Sequence, residues 1–558
     1  MGTRSNAQHG SMTRRDFLAL GGSAAAAAAL AACTPANTVA PSAPAGSAPA
    51  APKRGGTLTW GQVGDNTLID FSLVQTSSAY EVAGNLSDGL VAIDPDGNLH
   101  PWLATKWSME SDAKRFSFTL RDDVKFHDGT VFDSTAVKRT FERTADPKTK
   151  ATQGAVYLGP LDRVETPDPR TAILVYRDPH PLLLLNLWQR TLAILSPKQL
   201  DTLKPGEILT APVGTGPYKF VSRTSDGVVT MERNPDYKWG PEFKQNHGAP
   251  YLDTIKFRSI LEASTRTATL ESGESLLVED LPDADYARLR NDKRFAFVQV
   301  ARKGPGYGFL FNTKKAPAND IAVRQAMNWA VDRQAIVDRV LFGVHHPLVG
   351  PLTEGVWGRL DDLEKTIPYS GDKKKAVDIL EAAGWKVGAD GIREKGGQKL
   401  SLLLVEQPDY PKNDIAAALQ LQVREIGIDL KVQVMPAANF LDFVRAYKHD
   451  MCDTRGANFD PDELRQRFSS SGVGTLNYAN LTDPQLDSLL VKGQLAPVGS
   501  DARRQVYADV QRRIMDLLPM LSMITPIRTY AMTSRLHELR ADVTGSTALP
   551  MTDAWLDG

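Results

Sequence analysis

The stretch Lys399 to Val434, KLSLLLVEQPDYPKNDIAAALQLQVREIGIDLKVQV, decides the fold class. It opens with Lys399–Val405, an apolar run of strand length. Leu419, Val423 and Ile426 then share one helical face, and Gly427 stops that helix. Ile428–Val434 alternates apolar and polar, as a strand does. Strands separated by helices predict a sheet with right-handed crossovers, an α/β lobe. Immediately upstream, Lys375–Ala383 reads as a helix ended by Gly384.

The N-terminal half carries the same mixture. Gly55-Gly56 opens a short strand, Thr57–Trp60, and Phe116–Leu120 alternates with period two. Asp133 is placed to cap a helix whose Val137 and Phe141 lie on one face, with the turn signal Asp128-Gly129 just before it. No internal repeat of fixed period runs through the chain.

The whole chain has 558 residues, 65 Lys+Arg against 66 Asp+Glu, and a formal charge of −1. That length suits three to four domain-sized units. The balanced charge excludes broad electrostatic attraction to nucleic acid. No apolar run reaches the roughly 18–20 residues that span a bilayer, which excludes a polytopic membrane protein. Two cysteines, Cys33 and Cys452, exclude a disulfide scaffold.

The first fifty residues read as an address. Thr13-Arg14-Arg15-Asp16-Phe17-Leu18 is a twin-arginine signature, followed by a Gly/Ala-rich apolar stretch that ends in Leu30-Ala31-Ala32-Cys33, a lipobox. Residues 1–32 are expected to be a twin-arginine lipoprotein signal peptide, with Cys33 as the lipidated residue. Residues 33–53, with Pro35, Pro41, Pro44, Pro49 and Pro52 and almost no charge, are expected to be an Ala/Pro-rich tether. Cys452 would keep a free thiol and reads as a small buried hydrophobe.

A search for catalysis finds no nucleophile elbow, no H-E-x-x-H, no paired C-x-x-C and no Walker loop. Gly214-Thr215-Gly216-Pro217 precedes a strand-like Tyr218–Val221 rather than a helix, so it reads as a tight turn and not a phosphate loop. His345-His346 reads as a loop pair, Lys373–Lys375 as the solvated start of a helix, and Asp460-Pro461-Asp462 as a turn. No catalytic residue, resident metal or cofactor is expected.

The chain resembles the family 5 extracellular solute-binding proteins of bacterial ABC importers, the peptide, nickel and opine group. The resemblance rests on Leu86–Val91, Asp94–Gly97, Pro101–Ala104, Leu120–Thr130, Pro212–Tyr218, Glu232–Tyr237, Phe311–Lys314 and Val323–Met327, which occur in family order. It implies a two-lobed periplasmic-binding-protein fold with the ligand enclosed between the lobes. Lobe I would hold 54–306 and 524–558 with an extra subdomain at about 76–204, and lobe II would hold 307–523. The hinge crossings would be Tyr307–Phe311 and Leu521–Ile527, where Gly304, Gly306 and Gly308 supply permissive backbone.

The resemblance also implies cleft residues. They are Gln75, Thr76 and Ser77 after the first strand, Tyr307 and Phe309 at the hinge, Gln407 and Tyr410 at a strand end, and Arg455, Ala457, Asn458 and Phe459. Each aromatic reads equally well as core packing. Peptide binders of this family carry an aspartate in the last segment to pair with the ligand's amino terminus. Ala457 or Asn458 stands there instead, with Asp453 and Asp460 nearby but differently placed.

The expected function is capture of a peptide-sized solute between two lobes and its delivery to ABC permease subunits. The protein would be an exported, lipid-anchored monomer on the periplasmic or outer face of a membrane. Within the same fold the ligand could instead be a metal chelate, an opine or a sugar conjugate. A Tat-secreted enzyme is the alternative from another class.

Overall fold

The computed structural model describes residues 51–558, apart from 75, 205, 368, 370, 409–411, 455, 457, 546–549 and 558. The signal segment, Cys33 and the tether up to Ala50 lie outside the described residues. Along the strand Ser401–Glu406 the side chains alternate between two cores. Leu402 and Leu404 join Phe309, Phe311, Met327 and Leu419, whereas Val405 joins Leu310, Cys452, Phe468 and Tyr507. Burial on both faces explains why this run is continuously apolar. The strand pairs in parallel with Asp429–Val434, and the helix Lys412–Arg424 connects them.

These two strands belong to a six-stranded sheet, ordered His346–Pro347, Met520–Thr525, Tyr307–Phe311, Met451–Thr454, Ser401–Glu406, Asp429–Val434. A seven-stranded sheet is ordered Phe295–Ala301, Ile527–Thr533, Leu277–Val278, Thr57–Gln62, Thr254–Ser259, Val229–Arg233, Tyr218–Arg223. Its core is separate and holds Leu58, Trp60, Phe71, Tyr218, Phe257 and Tyr530. A third, four-stranded antiparallel sheet runs Ala104–Met109, Arg115–Leu120, Thr171–Tyr176, Leu161–Asp168, with a core around Phe116, Phe118, Phe141 and Leu174.

Local chemistry sets the element ends. Asp133 accepts from the Thr135 and Ala136 N–H groups at 2.9 and 3.1 Å, capping the helix Ser134–Ala145. Such a cap contributes about 1 kcal/mol, and it aims Val137 and Phe141 fully into the core. The lysine run sits inside the helix Lys373–Ala382, which starts two residues earlier than its sequence suggests because Asp372 caps the Lys375 N–H. Cys452 is fully buried, as its small apolar character implies.

The chain passes from the seven-stranded to the six-stranded sheet through 302–306 and returns through Pro526. The two passages touch. A Cβ on Gly306 would lie 2.1 Å from Leu348 Cδ2 and 2.8 Å from the Ile524 carbonyl, so close packing demands glycine there, whereas Gly304 takes a positive φ. Among the described residues no helix is long and apolar enough to cross a membrane.

Candidate ligand-binding cleft

A cavity of about 670 Å³ opens between the four-stranded-sheet side and the six-stranded-sheet side. One wall offers Thr152, Tyr157, His180 and Asn186; the other offers Asn458, Gln466, Ser469 and Thr475. A second cavity of about 520 Å³ shares Tyr157, Glu463, Gln466 and Leu476 with it, and is lined further by Arg302, Gly456 and Arg467. Both volumes suit a small solute. The lining is rich in amide and hydroxyl groups, which bind by directed hydrogen bonds.

Gly456, Asn458 and Phe459 lie along this seam. Gly456 N–H donates to the Pro305 carbonyl at 3.0 Å and Asn458 N–H to the Lys303 carbonyl at 2.9 Å, which fixes the segment against the hinge. Asn458 lines the larger cavity. Phe459 reaches across and packs edge-on against Trp188, with ring centroids 6.2 Å apart, in a small apolar cluster with Ile93, Leu185 and Val543. Lys303 adds a second bridge, its Nζ donating to the Pro95 carbonyl at 2.9 Å.

The other expected residues are placed as follows. Thr76 is exposed and caps the helix Ser77–Leu86, its hydroxyl accepting from the Ala79 N–H at 3.2 Å; Ser77 is half-buried at the first turn. Tyr307 is buried against Phe309 and borders a cavity of about 260 Å³ at the hinge. Phe309 is fully buried in the core, the packing role its aromatic ring left open. Gln407 is half-buried beyond the strand Ser401–Glu406. Gln75, Tyr410, Arg455 and Ala457 lie outside the described residues.

The acidic turn after the segment is fully engaged. Arg503 donates to both oxygens of Asp460 at 2.7 and 2.8 Å. Asp462 accepts from Arg465 at 2.8 Å and from the Tyr507 hydroxyl at 2.9 Å, while burial pushes its carboxyl above the usual carboxylate range. Glu463 accepts from Arg467 at 2.8 Å, and Arg467 also donates to the Thr454 hydroxyl. Asp460, Asp462 and Glu463 therefore each have an arginine.

Arg190 escaped the sequence reading. Its guanidinium lies 6.0 and 5.9 Å from the Trp102 and Trp188 rings, and its hydrogen bond to protein goes to the Trp188 carbonyl at 3.0 Å. Only 6% of the residue is exposed, and burial lowers its pKa. A Cβ on Gly84 would stand 2.7 Å from Arg190 Nε, so glycine makes room for the cation. Trp188 Nε1, buried beside it, has no hydrogen-bond partner. Asp542 and Asp88 are both close enough to act electrostatically on Arg190, and Asp88 spends its oxygens on Thr215, Tyr237 and Trp239; burial raises the Asp88 pKa to about 6. The only sequence signal was Trp188, two positions before Arg190; Trp102 lies far upstream, and its approach is a tertiary fact. Among the described residues no group of three or more His, Cys, Asp or Glu is arranged to hold a metal.

Comparison with known proteins agrees with this architecture. The profile of bacterial extracellular solute-binding proteins, family 5 Middle, matches residues 98–475. The nickel-binding periplasmic protein of Escherichia coli K12 is 28% identical over 444 residues, 76% of this chain and 81% of that protein. The glutathione-binding protein GsiB of Pectobacterium atrosepticum is 30% identical over 371 residues, 66% and 68% of the two chains. The crystal structure of AgaA from A. tumefaciens R10 with agropinic acid superposes with a TM-score of 0.72 at 27% identity, covering 90% of this chain and 99% of that one. The chain belongs to the family 5 bacterial extracellular solute-binding proteins, two-lobed α/β receptors that capture a solute outside the cytoplasm for an ABC importer.

Proposed function

We propose that this receptor captures a peptide-sized solute bearing a carboxylate, and that Arg190 is its anion anchor. The observation that carries this reading is the buried Arg190 guanidinium. It is stacked between Trp102 and Trp188, and among the described residues no carboxylate is in hydrogen-bond contact with it, although Asp542 and Asp88 act on it through space, at the seam where Phe459 arrives. A cation left this way is costly unless an anion completes it. Arginine and carboxylate fit bidentately. The paired acids on the facing wall leave no carboxylate to greet a cationic ligand. The names of two relatives, nickel-binding and glutathione-binding, and the agropinic acid in AgaA span the ligand chemistry considered.

Lobe I comprises 54–306 and 524–558, with a subdomain at about 76–204, and lobe II comprises 307–523. The solute lies between them, touched by Thr76, Ser77, Asn458 and Phe459 together with Gln75, Gln407, Tyr410, Arg455 and Ala457. Binding closes the lobes without covalent chemistry, so the protein is a receptor and not an enzyme. It works as a monomer, held to the membrane through lipid on Cys33 after Tat export, and hands its solute to permease subunits.

Calorimetry with a tripeptide and its C-terminal amide tests the anchor. Losing one charge-assisted hydrogen-bonded pair, about 1.5–3 kcal/mol, should weaken wild-type binding about 10- to 100-fold on amidation. Arg190→Gln should bind both forms with the same weak affinity. Equal binding of both forms by the wild type contradicts the assignment.

A further inference from the structure

A further cavity, of about 570 Å³, shares no lining residue with the cleft. Three chain segments each bring one lysine to it. Lys125 follows the strand Arg115–Leu120 of the four-stranded sheet, Lys219 lies in the strand Tyr218–Arg223 of the seven-stranded sheet, and Lys238 follows the strand Val229–Arg233. Among the described residues no carboxylate pairs with Lys125 or Lys219, even though Glu232 stands opposite Lys219 in the strand register. Lys238 has Asp123 at 4.0 Å, but Arg121 already donates to both oxygens of Asp123 at 2.9 Å. Asp236, exposed on the rim, is the remaining acid of the lining. Three ammonium groups against that one carboxylate leave a surplus of two positive charges.

Behind the lysines the wall is aromatic. Phe126, Tyr237 and Trp239 border the cavity and are each only 3% exposed. The Tyr237 hydroxyl and Trp239 Nε1 both donate to Asp88, at 3.1 and 2.9 Å, so these rings offer the cavity carbon rather than polar atoms. His127 is the polar exception. Its Nε2 donates to the Gly216 carbonyl at 2.9 Å, which places the ring proton there and leaves Nδ1 an acceptor with no partner among the described residues. Burial lowers the His127 pKa to about 4, so this acceptor persists at neutral pH.

We propose that this cavity is a second binding site, separate from the cleft, for a sugar phosphate. The three lysines take the phosphate, a sugar hydroxyl donates to His127 Nδ1, and the carbon faces of the sugar lie on the aromatic wall. A lysine ammonium is a compact point charge that suits phosphate oxygens. A phosphate monoester carries close to two negative charges near neutral pH, which matches the surplus. The volume lies within the range of small-molecule sites. Every lining residue falls between Asp123 and Trp239, so the site is complete without residues 307–523 and does not depend on the receptor reading.

Calorimetry of the purified protein with glucose 6-phosphate, in low-salt, phosphate-free buffer at about pH 7.5, tests the site. Wild type should bind the ester at least about tenfold more tightly than inorganic phosphate, and glucose should not bind. Lys125→Gln and Lys219→Gln should each weaken the ester about tenfold, the effect of losing one charge-assisted hydrogen bond. Lys386→Gln, which alters an exposed lysine of another sheet, should bind as wild type does. No binding of the ester, binding unchanged in both cavity variants, or inorganic phosphate bound as tightly as the ester overturns the inference. Equal weakening in Lys386→Gln also overturns it, because the effect would then be one of overall charge. Vesicles of phosphatidylglycerol separate the lipid source from the soluble one: binding to vesicles without binding of the ester overturns the inference in favour of a lipid headgroup. None of these variants alters the cleft, so failure here is distinguishable from failure of the receptor reading.

Discussion

Arg503 grips Asp460 through two hydrogen bonds of 2.7 and 2.8 Å, with the arginine side chain wholly buried and stacked near Trp357 and Tyr507. The pair stands directly behind the cleft segment that ends at Phe459. It anchors the acidic turn and withholds Asp460 from any ligand.

Removing one partner of a buried pair strands the other charge, which costs about 3–5 kcal/mol. Asp460→Ala should therefore lose that much stability in urea unfolding, with an unchanged slope. A loss below about 1 kcal/mol would mean that the pair is solvated in solution.

With Asp460 committed to Arg503, an enclosed ammonium would find no carboxylate on this wall. Burying it unpaired costs several kcal/mol. Calorimetry with matched peptides should show the N-acetylated form binding at least as tightly as the free amine. A clear preference for the free amine would return this protein to the ordinary peptide-binding pattern.

Phe459 and Trp188 meet across the seam, and on the two-lobed reading proposed above their contact helps to hold the closed state. Aromatic pairs contribute about 0.5–1.5 kcal/mol beyond area burial. Phe459→Ala should weaken solute binding about 3- to 10-fold, mainly through faster dissociation. It should also enlarge the radius of gyration of the solute-bound protein in small-angle scattering. Unchanged scattering would remove Phe459 from the closing contact.

Two buried groups set the pH response of stability in opposite directions. Burial lowers the pKa of His449 from 6.5 to about 4, with Nε2 donating to the Tyr478 carbonyl. The unfolded chain takes up this proton first, so stability is full above about pH 6.5 and falls as pH drops toward 4. A shift of this size is worth on the order of 3 kcal/mol. Asp88, raised from 3.8 to about 6, works the other way: its contribution is present below pH 3.8 and lost as pH rises through 6. His449→Gln should flatten the decline between pH 6.5 and 4, and Asp88→Asn should steepen it. Chemical denaturation across that range reads both slopes, and no change in either variant would contradict the burial argument.

The proposed lipid on Cys33 predicts that Cys33→Ala partitions into the aqueous fraction after signal processing. Processed mutant remaining on the membrane would show that another anchor operates.

The individual strands and helices were legible because their signals are local. The period of two in Phe116–Leu120, the cap at Asp133 and the stop at Gly427 each depend on a few neighbouring residues. The run at Lys399–Val405 also announced itself, since both strand faces are buried. The site was much less legible. Phe309 and Phe459 look alike in sequence, yet one packs inside a core and the other across the seam. Arg190 gains meaning only when Trp102 and Trp188 are folded around it. His345 reads in sequence as half of a loop pair because its partner Asp283 lies 62 positions away. Pairings that tertiary structure creates between distant residues leave no local pattern to read.

Native mass spectrometry of the protein purified from its own host, compared with Arg190→Gln, tests the central claim most directly. The account predicts one bound solute per chain, carrying at least one carboxylate, in the wild type and its loss in the variant. A neutral or cationic solute retained equally by both would contradict it.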